Sequence, residues 1–174
     1  MKRTNFWNEA ASCGVYLGLL AIVFDVIGFY KQHALLSLLS LALFVVLLTW
    51  CMKTRVARHA TPSEGYSYGR CLGFMVAVML CAGFLEGAFM GVSANWLFAE
   101  KYDASIGESL AILEDTGFYT SEMLEMMARM LHSPLVLIFS TMVGSAVKGA
   151  FFGLFIAAYT RQEPRPFANN DNLE

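Results

Sequence analysis

Four long apolar runs limit what this chain can become, and three of them hold an ionisable residue in their interior: Asp25, Glu86 and Lys148. A helix rises ~1.5 Å per residue, so crossing a ~30 Å hydrocarbon core takes roughly 20 residues. The runs at about 10–30, 34–52, 68–98 and 134–159 all meet that length. Only Lys31, Gln32 and His33 separate the first two, which implies a tight helical hairpin. The third exceeds the requirement, so it is expected to tilt or to end in an interfacial turn. Pro134 suits the first turn of the fourth span, where a missing N–H is no loss. The expected fold is all-α: one integral membrane domain, residues 1–174, built as a four-transmembrane-helix bundle. Composition agrees, since 15% charged residues and 57% hydrophobic ones compare with ~25% charged in soluble domains. A net charge of −2 without a basic patch argues against nucleic-acid binding.

Orientation follows from lysine and arginine placement, which favours the cytoplasmic side. Lys2, Arg3, Lys53, Arg55, Arg58, Arg70, Arg161 and Arg165 fall on one side, against Lys31, Lys101 and Arg129 on the other. Both termini are therefore expected in the cytoplasm, with the Lys53 to Ser67 loop and a 160–174 tail. Trp7 and Trp50 then sit at the inner membrane edge and Trp96 at the outer one, as an aromatic belt requires. The first span reads as retained rather than as a cleaved signal peptide, because no small-x-small site follows it.

The segment from Ala99 to Ser133 is expected outside, as a short helical periplasmic segment between spans three and four. Ser105 with Glu108 reads as a capping box, and Gly117 as a helix stop. A second helix from Thr120 to about Leu131 puts Met123, Leu124, Met127, Met130 and Leu131 on one face and Glu122, Glu125 and Arg129 on the other. This amphipathic segment, about 104–132, is expected on the membrane surface or over the bundle end. Met123, Met126, Met127, Met130 and His132 have donors that suit Cu(I), but methionine also fills adaptable apolar faces, and that plainer reading leads. No metal or other cofactor is expected.

Small residues recur four apart: Gly14 and Gly18, then Gly83, Gly87 and Gly91, then Ser145, Gly149 and Gly153. Such stripes let helix backbones approach closely where lipid supplies no hydrophobic drive between helices. Spans three and four are expected to pack together, and the first stripe to serve the same bundle rather than a second protomer. Counting along each helix puts Asp25 about 8 Å, Glu86 about 15 Å and Lys148 about 21 Å below the outer edge. A charge at the bilayer centre costs about 2.5–3.5 kcal/mol on insertion scales, so such residues face a partner or water. The expectation is a Glu86–Lys148 pair between spans three and four, with Asp25 in a polar pocket above it.

No enzyme template is present: there is no G-x-S-x-G, H-E-x-x-H or P-loop, and His33, His59 and His132 fall in separate loops. Cys13, Cys51, Cys71 and Cys81 lack the paired spacing of a disulfide, redox or zinc motif.

Asn5-Phe6-Trp7 leading to Gly14-Val15-Tyr16-Leu17-Gly18, Tyr66-Ser67-Tyr68-Gly69-Arg70 opening the third span, and Gly149 to Ile156 running into Thr160-Arg161-Gln162-Glu163-Pro164 together resemble a bacterial membrane family. It is the one catalogued as domain of unknown function 4199 (DUF4199). The resemblance covers nearly the whole chain. It implies four helices in a bacterial inner (cytoplasmic) membrane and brings no catalytic residues.

Three functional readings follow. The first is a non-catalytic multi-pass subunit or accessory of a membrane protein complex, with the lipid bilayer and a membrane-protein partner or a second copy as its contacts. The second is a small transporter or channel using Asp25, Glu86 and Lys148. The third is an anchor for an envelope-biosynthesis enzyme, held through the basic Lys53 to Arg58 stretch.

Overall fold

The computed structural model describes residues 6–30, 34–61 and 64–163. Lys2, Arg3, Lys31, His33, Arg165 and, of the 160–174 tail, residues 164–174 lie outside the described residues. The elements are α1 (Phe6–Tyr30), α2 (Ala34–His59), α3 (Tyr68–Val92), a π-helical turn (Ser93–Leu97), α4 (Ala99–Asp115), α5 (Ser121–Leu131) and α6 (Pro134–Thr160). There is no strand among the described residues, and α1, α2, α3 with its π turn, and α6 are each long and apolar enough to cross a membrane.

The core is a three-helix layer with α3 in the middle, and its register is written in the small residues. Gly83 lies against Ser145 and Thr141, Gly87 against Ile138, and Gly91 against Pro134. In the other direction, Gly149 meets Met79 and Gly153 meets Leu72 and Met75, so α3 and α6 run antiparallel. Gly14 rests on Cys81 and Val78, and Gly18 on Leu85 and Ala82, so α1 runs parallel to α3 on another face. All three stripes are thus used within one chain, where a missing Cβ lets the helix axes close up.

α2 is different. Its buried residues are Leu48, Cys51, Met52, Arg55 and Val56, and none precedes Leu48. The helix is anchored through its second half, while the first half buries no residue. It also continues past the apolar run to His59, so the Lys53 to Arg58 stretch expected as a loop is helix, and Arg55 points inward. α1 likewise begins before its apolar run, at Phe6, and buries Glu9.

At the opposite end the long third span stops at the π turn, where the Phe98 N–H bonds back to Ser93 O at 2.9 Å. Phe98 then leaves helical geometry and α4 starts at Ala99. Ser105 is consequently mid-helix and caps nothing; its carbonyl accepts from Ser109 Oγ at 2.9 Å. Gly117, at φ +70°, ends α4 in the left-handed conformation that costs glycine nothing. Thr120 caps α5 by accepting the Met123 N–H. α4 buries no residue and α5 only Leu124, so this hairpin sits on the bundle rather than in it.

Candidate functional site

Asp25, Glu86 and Lys148 line one cavity of about 770 Å³ between the four spans. α1 contributes Asp25 and Phe24, α2 contributes Ser37 and Ser40, α3 contributes Glu86, and α6 contributes Ser145 and Lys148. Apolar wall comes from Leu17, Leu20, Phe44 and Phe152. The size falls within the ~300–1,000 Å³ typical of ligand pockets. The cavity lies between the halves of α1 and α2 that bury nothing: its wall residues Ala21, Asp25 and Gly28 follow Gly18, and Ala34, Ser37 and Leu41 precede Leu48.

The expected Glu86–Lys148 ion pair does not form, since no carboxylate–ammonium approach within 4.0 Å joins them among the described residues. The three groups share a chamber without a direct contact between opposite charges. Gly83 and Gly149 hold α3 and α6 in close contact, and the Glu86 and Lys148 side chains open onto the cavity beside that seam. Asp25 Oδ2 is buried and has no hydrogen-bond partner among the described residues.

A second polar cluster lies at the other end of the bundle. Glu9 and Arg55 form a buried ion pair, and the Arg55 Nε–H donates to Tyr66 Oη at 2.7 Å. The guanidinium is held between the Phe6 and Phe74 rings, 4.9 and 4.3 Å from their centroids. His59 places Nε2 at 2.9 Å from Glu9 Oε1; a carboxylate only accepts, so this nitrogen carries the proton. Tyr66 is positioned by a two-way backbone bridge to Gln162, at 2.8 and 3.2 Å. Four segments therefore meet on one arginine, which pins the buried half of α2. Counting Arg55 as a flanking positive charge hides this cluster. The available signal was its phase: Arg55 follows Leu48, Cys51 and Met52 on the buried stripe of α2.

The α4 end has its own lock. Phe98 stacks on Phe29 at 4.9 Å, and Lys101 Nζ sits 3.9 Å from the Tyr30 ring centroid while donating to Phe29 O at 3.3 Å. His132 spans α4 and α5: Nδ1 is 2.8 Å from Ala128 O and Nε2 is 2.6 Å from Asp103 Oδ1. Both partners are acceptors. The Ala128 carbonyl first, and then Asp103, raise the His132 pKa above its ordinary value. Met123, Met126 and Met130 of α5 are each more than half exposed. No group of three or more His, Cys, Asp or Glu side chains is arranged for a metal among the described residues. The four cysteines are free thiols.

Bundle, cavity and four apolar spans define a polytopic helical membrane protein. The chain belongs to the family described as Protein of unknown function (DUF4199), which matches residues 12–162 and so takes in all three cavity ionisable residues. No curated protein and no solved structure matches it.

Proposed function

We propose that this chain is a non-catalytic inner-membrane protein of bacteria that binds, and passes across or along the bilayer, a small polar or charged ligand held in the cavity by Asp25, Glu86 and Lys148. The single observation behind this reading is that the three groups line one chamber without a direct carboxylate–ammonium pair. A pair whose only role is to fix helix register is expected in direct contact, because separated charges keep the desolvation cost and forgo the short-range attraction. Both termini lie in the cytoplasm in this proposal, as the distribution of lysine and arginine requires. Purified protein reconstituted in liposomes tests the reading. Proton, ion or solute flux above empty vesicles is expected, and Asp25→Asn or Lys148→Met is expected to abolish it while helicity is retained. Flux unchanged by both substitutions in folded protein overturns the proposal.

A second reading, a subunit of a membrane complex, draws on the α4–α5 hairpin. Ile112 and Phe118 are 68% and 86% exposed there, beside the bare methionines of α5. Isolation in mild detergent separates the two, since a stoichiometric partner lost on Ile112→Ser plus Met126→Ser favours the subunit reading.

A further inference from the structure

We infer that the cavity takes the headgroup of a zwitterionic membrane lipid bearing a primary ammonium and a phosphate, of the phosphatidylethanolamine class, with its acyl chain lying in the adjoining α1–α2 groove. The inference rests on the proposal that the cavity is a ligand site, and it names the ligand chemistry.

Charge complementarity is the first argument. The chamber offers two carboxylates, Asp25 and Glu86, and one ammonium, Lys148. A simple anion meets two like charges for each opposite one, and a simple cation offsets the one excess carboxylate but gives Lys148, which touches neither carboxylate among the described residues, no anion of its own. A zwitterion satisfies both signs: its ammonium donates to the carboxylates while Lys148 donates to its phosphate. Ser37, Ser40 and Ser145 add hydroxyls around the same chamber. Asp25 Oδ2, buried and without a partner among the described residues, is an acceptor suited to such a donor.

The second argument is the route. A groove of about 580 Å³, lined by Tyr16, Leu19, Leu20, Val23, Leu47 and Trp50, runs along α1 and α2 and is almost wholly apolar. Leu20 borders both this groove and the polar chamber, so a ligand with a charged head and a long hydrocarbon tail fills the two together. A free zwitterion has no use for the groove. The unburied first half of α2 leaves the chamber's side wall toward the bilayer, which is where a lipid arrives.

The full-length protein in nanodiscs of phosphatidylcholine, doped equally with phosphatidylethanolamine and phosphatidylglycerol, provides the test, with retained lipid counted by native mass spectrometry. Phosphatidylethanolamine is expected to be retained over both others by about tenfold, the size of one charge-assisted hydrogen bond. Trimethylation removes the donors of phosphatidylcholine, and phosphatidylglycerol lacks the cation. Asp25→Asn and Lys148→Met are each expected to erase the preference, and Leu20→Trp to weaken retention of the tailed lipid. Equal retention of the three lipids by the unmodified chain overturns the inference, whatever the variants do. Displacement of the lipid by millimolar phosphoethanolamine, with Leu20→Trp silent, also overturns it in favour of a soluble zwitterion. Flux sensitive to Asp25 or Lys148 together with no lipid preference leaves the cavity reading standing and removes this one alone.

Discussion

Replacing Gly87 by alanine gives the sharpest test of how α3 and α6 are held together. A Cβ built there lies 2.7 Å from Ile138 Cα and 3.2 Å from the carbonyl oxygens of Ile138 and Leu137. Ordinary contact begins near 3.4 Å, so the methyl intrudes by about 0.7 Å on atoms that are all backbone. No rotamer change relieves this, and α6 has to move. Overpacking of this kind costs about 1–3 kcal/mol. Gly144→Ala supplies the control, because nothing lies within 4 Å of a Cβ at that position. The gain in helix propensity, about 1 kcal/mol in water-soluble helices, is common to both variants and cancels in the difference. Unfolding of the detergent-solubilised protein by graded SDS, followed by circular dichroism, is expected to place Gly87→Ala about 1–3 kcal/mol below Gly144→Ala. Equal stability of the two would refute the close-packed seam.

Arg55→Ala strands the buried Glu9 carboxylate beside His59 and is expected to cost about 3–5 kcal/mol by the same unfolding assay; Glu9→Gln with Arg55→Met should recover most of it, and a double variant no better than the single one refutes the pairing. Arg55→Lys is expected to rescue little, because an ammonium can neither reproduce the Nε–H bond to Tyr66 nor present a flat face to Phe6 and Phe74. For His132, the two acceptors favour the imidazolium, so the folded protein binds this proton more tightly than the unfolded chain does. Its contribution is full below about pH 6.5 and is lost as pH rises through the raised folded value. The side chain is 38% exposed and screened accordingly, so the effect is local. Amide exchange in α4 and α5, corrected for its intrinsic pH dependence, should show protection falling over that range, and His132→Gln should flatten the response.

The spans were legible because a bilayer demands length and apolarity, and both are local properties. The use of the small residues was legible for the same reason, since Gly83, Gly87 and Gly91 on α3, and Ser145, Gly149 and Gly153 on α6, repeat at a helical period. The partners of the charges were not. Depth along a helix put Glu86 and Lys148 near one level, but depth says nothing of where two side chains open, and both line the cavity without touching. Arg55 shows the complementary limit. Counting it as a topogenic charge uses its sign alone, while its burial depends on Phe6, Glu9, Phe74 and Tyr66, which come together only in the folded chain. Ser105 and Glu108 carry a valid capping signature that goes unused, because the turn after the π segment starts α4 earlier, at Ala99.

The lopsided attachment of α2 also bears on how the protein is made. α2 is the most apolar of the four spans and buries no residue before Leu48. Such a segment enters hydrocarbon on its own transfer free energy and needs no help from later-synthesised chain. α6 is the opposite: least apolar of the four, with Lys148 near its middle, and in close contact with α3 from Pro134 to Gly153. Its entry leans on an α3 already in place. Synthesis from the N-terminus supplies the spans in that order, so a hairpin able to wait alone in the bilayer comes first and the helix that needs a host comes last.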